Sequence, residues 1–339
     1  MNNRPLISAI IPTYNRADLV GDAIDSILAQ TYPNVEIIVV DDGSTDNTKE
    51  RLARYGDRIR IIYQRNAGPS AARNRGIAAS HGEFISFLDS DDLWLPVKLE
   101  RQIDLLEQAG ESIPCCLSNI MMRWSDRDIA SFTISSLHPP LSEGIWTNPA
   151  EILATRFVLF NQGAVIRRSA LAAIGTFDES LRLLEDYEFA LRLSLAGPWT
   201  FIAEPLVIWR ETAGSCYQNS KEDDIRPLRL MVQILQRQQR NLNGRSQFLN
   251  LQRSIENELE RTLRELKAAE RTNSNFWFQT TTGKVLQRIA RYRRAIFRRS
   301  PGFPTMQVTS IDAFRSSQPK RADSTSDFDS SQELVSAKN

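Results

Sequence analysis

Phe84-Ile85-Ser86-Phe87-Leu88-Asp89-Ser90-Asp91-Asp92 places four apolar residues among its first five and three carboxylates among its last four. Bounded by Gly82 on one side and acids on the other, it predicts a buried parallel strand that delivers carboxylates to its carboxyl end. In open α/β sheets the ligand crevice lies beyond those ends. Like charges packed this closely repel, and holding them in a cleft calls for a cation or hydrogen-bond donors among them. Carboxylate and water oxygens suit Mg2+ or Mn2+, ions commonly shared between one or two carboxylates and substrate phosphates. A plainer reading stays open at this point: a strand followed by an Asp/Ser cap, since Leu93-Trp94-Leu95-Pro96 leads into a helix.

The flanking sequence repeats the strand signal. Leu6 to Ile11 is an apolar run stopped by Pro12, and Val35 to Val40 is a second run ending on Asp41-Asp42-Gly43-Ser44. Ile59 to Tyr63 is a third, followed by the polar loop Arg65-Asn66-Ala67-Gly68-Pro69. Helical stretches separate them: Asp18, as N-cap, to Gln30; Thr45 to Tyr55; and Ser70 to Ser80. Strand and helix alternating four times over short connections predict an α/β fold, a Rossmann-like, mostly parallel sheet flanked by helices. Polar residues then collect where strands end together, at 12–15, 41–44, 65–68 and 89–92.

Beyond this, Pro96 to Gln108 reads as a helix, Cys115 to Ile120 as a fifth strand, and 121–150 as an irregular excursion with a hairpin. Asn161 to Ile166 reads as a strand edge, Ser169 to Ile174 as a short helix closed by Gly175, and Leu183 onward as a helix. Two closing strands are expected at Trp199–Ile202 and Leu206–Trp209. Composition shifts near Ser220. Apolar stripes at Leu228, Met231, Val232, Leu235 and at Phe248, Leu251, Ile255, Leu259, Leu263, Leu266 predict a C-terminal helical appendage, packed on the sheet domain or on a second copy as a homo-oligomer. The expected organisation is a sheet domain over 1–218, the appendage over 219–299 and a disordered tail over 300–339, which is poor in apolar residues.

Composition limits the functional classes. A net charge of +1 gives no whole-molecule attraction to nucleic acid. Three cysteines, two of them the adjacent Cys115 and Cys116, form neither a disulfide framework nor a metal-ligand spacing, and favour a reducing compartment. No run approaches the roughly 18 apolar residues of a membrane span, and the first residues carry no secretory signal pattern. A cytoplasmic location is expected. Between Lys284 and Arg299, however, seven basic and no acidic residues alternate with Val285, Leu286, Ile289, Tyr292, Ile296 and Phe297. That pattern fits an amphipathic helix on an anionic membrane, placing the protein peripherally on the inner face of the cell membrane, or equally a solvated basic helix.

Ser8-Ala9-Ile10-Ile11-Pro12-Thr13-Tyr14-Asn15-Arg16, Val39 to Asp46, Asn66 to Gly76 and Phe87 to Asp92 occur in the order found in the inverting family 2 glycosyltransferases of the GT-A fold. Gly175-Thr176-Phe177-Asp178-Glu179 and Leu184-Glu185-Asp186-Tyr187-Glu188 continue the pattern, so the chain resembles that family from about residue 6 to 215. The resemblance implies transfer of a sugar from a nucleoside diphosphate sugar, expected to be UDP-linked, to a hydroxyl of a glycan or lipid-linked acceptor in polysaccharide biosynthesis. It places Pro12, Tyr14, Asn15, Asp41, Gly68, Arg73 and Asp91 at the donor. Tyr14 offers an aromatic face to the base and Asp41 an acceptor to a base N–H, or else a turn cap. Asp42 is left to that turn. Arg73 is expected to reach the nucleotide or bridge to Asp91. Asp91 is assigned to the ribose or the metal and Asp92 to the metal, where a divalent cation would offset charge on the departing diphosphate.

Asp186 is the candidate general base, at a helix start whose dipole is expected to keep it ionised; Glu185 is its rival. Asn161, Gln162 and Trp209 are weaker acceptor candidates. A single in-line displacement needs no enzyme nucleophile, and no Ser/His or Cys/His grouping is present. One departure stands out: where many relatives carry a histidine after Trp209-Arg210, this chain has Thr212, leaving Glu211, Arg210 or water to substitute. Two alternatives stand beside this reading. A sugar nucleotidyltransferase would need a glycine-rich basic loop after the first strand, which Pro12-Thr13-Tyr14-Asn15 is not. An inactive glycosyltransferase-like binding subunit would not need Asp186.

Overall fold

The computed structural model describes residues 4–212, 225–272 and 304–318. Its first half alternates strand and helix: β1 (Ile7–Thr13), α1 (Val20–Leu28), β2 (Val35–Asp41), α2 (Thr48–Ala53), β3 (Arg60–Tyr63), α3 (Pro69–Ala79) and β4 (Phe84–Phe87). These four strands pair in parallel, in the spatial order β4-β1-β2-β3. Their apolar runs are continuous because both faces are covered. Ile10, Ile38, Val40, Ile85 and Phe87 enter one core, while Ile7, Ala9, Ile11, Ile37, Val39 and Phe84 enter the other. A glycine lets α3 lie close on β1: a Cβ at Gly76 would fall 2.4 Å from Ile10 Cγ2. Asp18 does not cap α1. The approach to that helix is instead held by Arg16 N–H donating to Thr48 Oγ1 and Ala17 N–H donating to Asp46 Oδ2.

The second half follows with β5 (Leu93–Trp94), α4 (Lys98–Ala109), β6 (Cys115–Arg123), β7 (Asp128–Ala130), α5 (Ser131–Ile134), β8 (Glu143–Trp146) and α6 (Pro149–Thr155). Then come β9 (Ala164–Arg167), α7 (Arg168–Ile174), α8 (Glu185–Leu193) and β10 (Trp199–Arg210). The sheet is mixed and mostly parallel. β9 is inserted antiparallel between β4 and β6, and β10 runs parallel to β6. β1, β2, β3, β4, β6 and β10 therefore all point the same way and end on one edge. The two expected closing strands are a single strand, β10, whose register with β6 shifts around Pro205, a residue with no N–H to give to the ladder. The irregular excursion contains a hairpin, β6 to β7, closed by Trp124 N–H donating to the Arg127 carbonyl.

The C-terminal helices α9 (Arg226–Leu242) and α10 (Leu249–Thr272) pack their stripes on the core that also holds α5 to α8. Residues 304–318 correct the expected disordered tail. They form β11 (Val308–Thr309), which extends the sheet beyond β8, and α11 (Ile311–Ser317), which packs Ile311 and Phe314 on the opposite core. Asn148 holds this segment, donating to the Thr305 carbonyl and accepting from Gln307 N–H. The segment is polar overall, but a sheet edge supplies backbone partners that composition does not advertise. The basic stretch 284–299 and the rest of the tail lie outside the described residues.

Candidate active site

The common edge of the parallel strands gathers the polar residues. At the end of β1, Tyr14 is 45% exposed, so its ring is available at the surface and is not part of the core. Asn15 adopts φ 52°, a left-handed conformation that asparagine tolerates. Its N–H donates to Ser44 Oγ at 2.9 Å and its Oδ1 accepts from Thr45 N–H at 2.7 Å, so it ties the β1 and β2 loops together. Pro12 is buried inside β1. At the end of β2, Asp41 accepts from Ser44 N–H at 2.9 Å, so Asp41, and not Asp42, caps that turn. Asp42 turns to the next loop, accepting from Gln64 Nε2, Ala67 N–H and Gly68 N–H at 2.7, 2.8 and 2.8 Å. Gly68 has φ 96°, a backbone conformation that favours glycine.

Behind this rim sits a carboxylate cluster fed by donors from distant elements. Arg73, buried in α3, donates to Asp89 Oδ1 at 2.8 Å and to Glu185 Oε1 at 3.0 Å. It does not bridge to Asp91 as expected: the salt-bridge neighbour of Asp91 is Arg16, at 3.6 Å. Gln162 Nε2 donates to both Asp89 Oδ2 (2.7 Å) and Asp92 Oδ2 (2.8 Å). Its backbone carbonyl is fixed by Trp94 Nε1 at 3.1 Å, and Trp94 lies under the Lys98 ammonium. Arg210, at the end of β10, donates its N–H to Asp92 Oδ1 and its Nε to the Asp91 carbonyl. Thr212 Oγ1 donates to Asp91 Oδ2 at 2.7 Å, so the threonine itself serves the acid cluster beside Arg210, one of the expected substitutes.

Electrostatics follow from this crowding. Burial and the charge of Asp89 raise Asp91, and burial with Asp89 and Asp91 raises Asp92 well above the ordinary carboxylate range. Asp186 follows Glu185 in the first turn of α8, and burial together with the Glu185 charge pushes it up to about 7. The helix terminus therefore does not keep it in the usual carboxylate range, because desolvation and a like charge outweigh a terminal dipole. Asp186 Oδ1 accepts from Tyr187 N–H at 2.7 Å, and the charges of Arg73 and Asp89 also act on it. Asn161 is buried and its Oδ1 lacks a hydrogen bond, while Trp209 packs 5.7 Å from Trp124. His81 and His138 are both exposed.

The sequence model of glycosyl transferase family 2 matches residues 8–169, the span containing every strand end described above except that of β10. Over that span the chain is a family 2 glycosyltransferase. It is 37% identical over 187 residues to an uncharacterised glycosyltransferase of Rickettsia typhi, covering 54% of this chain and 57% of that protein. The chain thus spans about half the length of such curated relatives. Two solved structures share the fold. S. aureus TarS 1-349 in complex with UDP-GlcNAc superposes with TM-score 0.56 at 20% identity, over 86% of this chain and 81% of that one. The mannosyltransferase PcManGT from Pyrobaculum calidifontis, in complex with GDP-Man and Mn2+, gives 0.52 at 19% identity, over 88% and 82%.

Among the described residues, no three or more His, Cys, Asp or Glu side chains gather as a metal cage. The donor set instead suits a hard cation that takes one or two carboxylates and completes its shell with phosphate and water oxygens. The repulsion that lifts Asp91 and Asp92 is what a divalent charge would offset. Sequence reading missed Arg16, the Gln162 clamp and the Arg73–Asp89–Glu185 bridge. Glutamine and arginine carry no local pattern that announces a partner some 70 to 110 residues away.

Proposed function

We propose that this chain is a divalent-cation-dependent, inverting glycosyltransferase that moves a hexose from a nucleoside diphosphate sugar, UDP-linked, to a hydroxyl of a glycan or lipid-linked acceptor. The carrying observation is that Asp89, Asp91 and Asp92 stand at one sheet edge and that Arg73 joins this cluster to the helix bearing Asp186. The UDP-GlcNAc and GDP-Man held by the two structural neighbours support a nucleotide-sugar donor.

In this reading Tyr14 stacks on the base, and Asp41 lines its pocket. The loop closed by Asp42 and Gly68 brings backbone close to the donor. Mg2+ or Mn2+, held by Asp91 and Asp92, would supply positive charge for the diphosphate. Asp186 accepts the proton of the attacking hydroxyl as its oxygen bonds to the anomeric carbon on the face opposite the diphosphate. The anomeric C–O bond breaks, and its electron pair leaves with the diphosphate. A carboxylate poised near 7 suits this task better than an ordinary one, since it gains basicity while about half of it stays ionised at neutral pH and most of it at mildly alkaline pH. Asn161 and Trp209, with Glu185, border the acceptor side. Among the described residues no helix is long and apolar enough to cross a membrane. The basic pattern at 284–299 supports peripheral contact with an anionic surface, where a lipid-linked acceptor would be met.

The test is Asp186→Asn with the donor that thermally stabilises the full chain in a panel of nucleotide sugars, with and without Mn2+. Turnover is expected to fall by about 10²- to 10⁴-fold with nucleotide binding retained; unchanged turnover removes the base assignment.

A further inference from the structure

We propose that Arg237, and through it the helical appendage, positions the proton-accepting carboxylate of Asp186; this rests on the reading of Asp186 as the base. Arg237 lies on α9, in the appendage, yet both of its terminal nitrogens serve the sheet domain. One donates to Asp178 Oδ2 at 2.8 Å, and the other lies 2.8 Å from Glu188 Oε1. Glu188 is two residues beyond Asp186 on α8, and its side chain is only 1% exposed. Arg192, one turn further along α8, reaches the same carboxylate at 2.8 and 2.9 Å and also donates to the carbonyls of Ile174 and Thr176.

The first turn of α8 is a place where such restraint matters. Leu184, just before it, has φ 60° and ψ 19°, a left-handed conformation that a leucine keeps only when its surroundings impose it. Two arginines supply that restraint from opposite sides. Arg73, on α3, holds Glu185, one residue before Asp186, and Arg237 holds Glu188. Between them Tyr187 is buried against Phe157. Losing Arg237 would leave Glu188 buried beside a single partner and free the Asp178 loop. Leu184 could then relax, and Asp186 would leave its place among Glu185, Arg73 and Asp89. A shift of about 1 Å in a catalytic group can cost a hundredfold in rate.

The experiment uses the full chain with Arg237→Ala, Arg237→Lys and the Asp186→Asn reference. Thermal stabilisation by UDP with Mn2+, kcat, donor KM and the pH profile of kcat are measured for each. For Arg237→Ala the expected result is at least about a tenfold loss of kcat, with donor KM and UDP stabilisation held within about twofold. The acid limb of its kcat profile should also move to lower pH, because an Asp186 released from burial and from Glu185 returns toward the ordinary carboxylate range. Arg237→Lys keeps the charge without the two-armed fork and should fall between the two, with at least about a threefold loss; it carries the test if Arg237→Ala does not fold. Parental kcat and pH profile in either variant overturn the proposal, as does a loss of kcat matched by an equal loss of UDP binding. An active Asp186→Asn would instead sink the base reading. An inactive Asp186→Asn beside a parental Arg237→Ala would sink the positioning role alone.

Discussion

Replacing Gln162 with leucine removes one amide nitrogen that donates to Asp89 and Asp92 at 2.7 and 2.8 Å, while nearly preserving volume. Asp92 is 1% exposed and keeps the Arg210 N–H. A hydrogen bond to a charged group contributes about 1.5–3 kcal/mol, and two such bonds are lost. Uptake of a proton by Asp92 relieves part of that cost, so a net loss of about 3 kcal/mol is expected where Asp92 would otherwise be ionised. For a chain of this size, at about 2.1 cal/mol/K of unfolding entropy per residue, that corresponds to roughly 4 °C in melting temperature. Gln162 stabilises the ionised carboxylate, so its removal matters most at high pH. The deficit should be larger at pH 8 than at pH 5, because a carboxyl lifted well above its usual range takes up a proton more readily as pH falls. Thermal melts of metal-free parent and variant at both pH values provide the measurement. A deficit below about 2 °C at pH 8, or one equal at the two pH values, would refute the reasoning.

Two further outcomes are expected. Asp186 and Glu258 are both pushed up to about 7, and Asp91 and Asp92 are raised, so the folded chain binds protons more tightly than the unfolded one between the ordinary carboxylate range and neutrality. Stability of the metal-free protein should therefore fall as pH rises from about 5 to 7.5. The opposite group, Asp178, held at about 2 chiefly by Arg237, loses its contribution only in strong acid, and Lys98, lowered to about 7 by burial, opposes the fall only at the top of the window and is outweighed there by the carboxyls; a melting temperature that climbs from pH 5 to 7.5 would contradict the scheme. Deleting residues 284–299 should abolish flotation with anionic vesicles while leaving donor-induced thermal stabilisation intact, and unchanged flotation would dispose of the membrane contact.

Some of this molecule is written in its local sequence. Continuous apolar runs such as Val35 to Val40 report strands buried on both faces, and the acids after Phe87 report the end where a ligand belongs, because period and turn chemistry act over a few residues. The antiparallel insertion of β9 and the fusion of two expected strands into β10 were not legible, since pairing partners are chosen by packing across the whole sheet. The same holds for the polar partners. Asp89, Asp91 and Asp92 were visible as a cluster, but their donors Arg73, Gln162, Arg210 and Thr212 come from three other segments, up to 121 residues away. Residues 304–318 read as tail because their own composition is polar; a free edge on β8 decided otherwise. Sequence by itself determined which residues could be buried and which acids stand at a strand end. Tertiary structure alone decided which charge meets which, because a buried ion's partner is selected by geometry in three dimensions, on which spacing along the chain is silent.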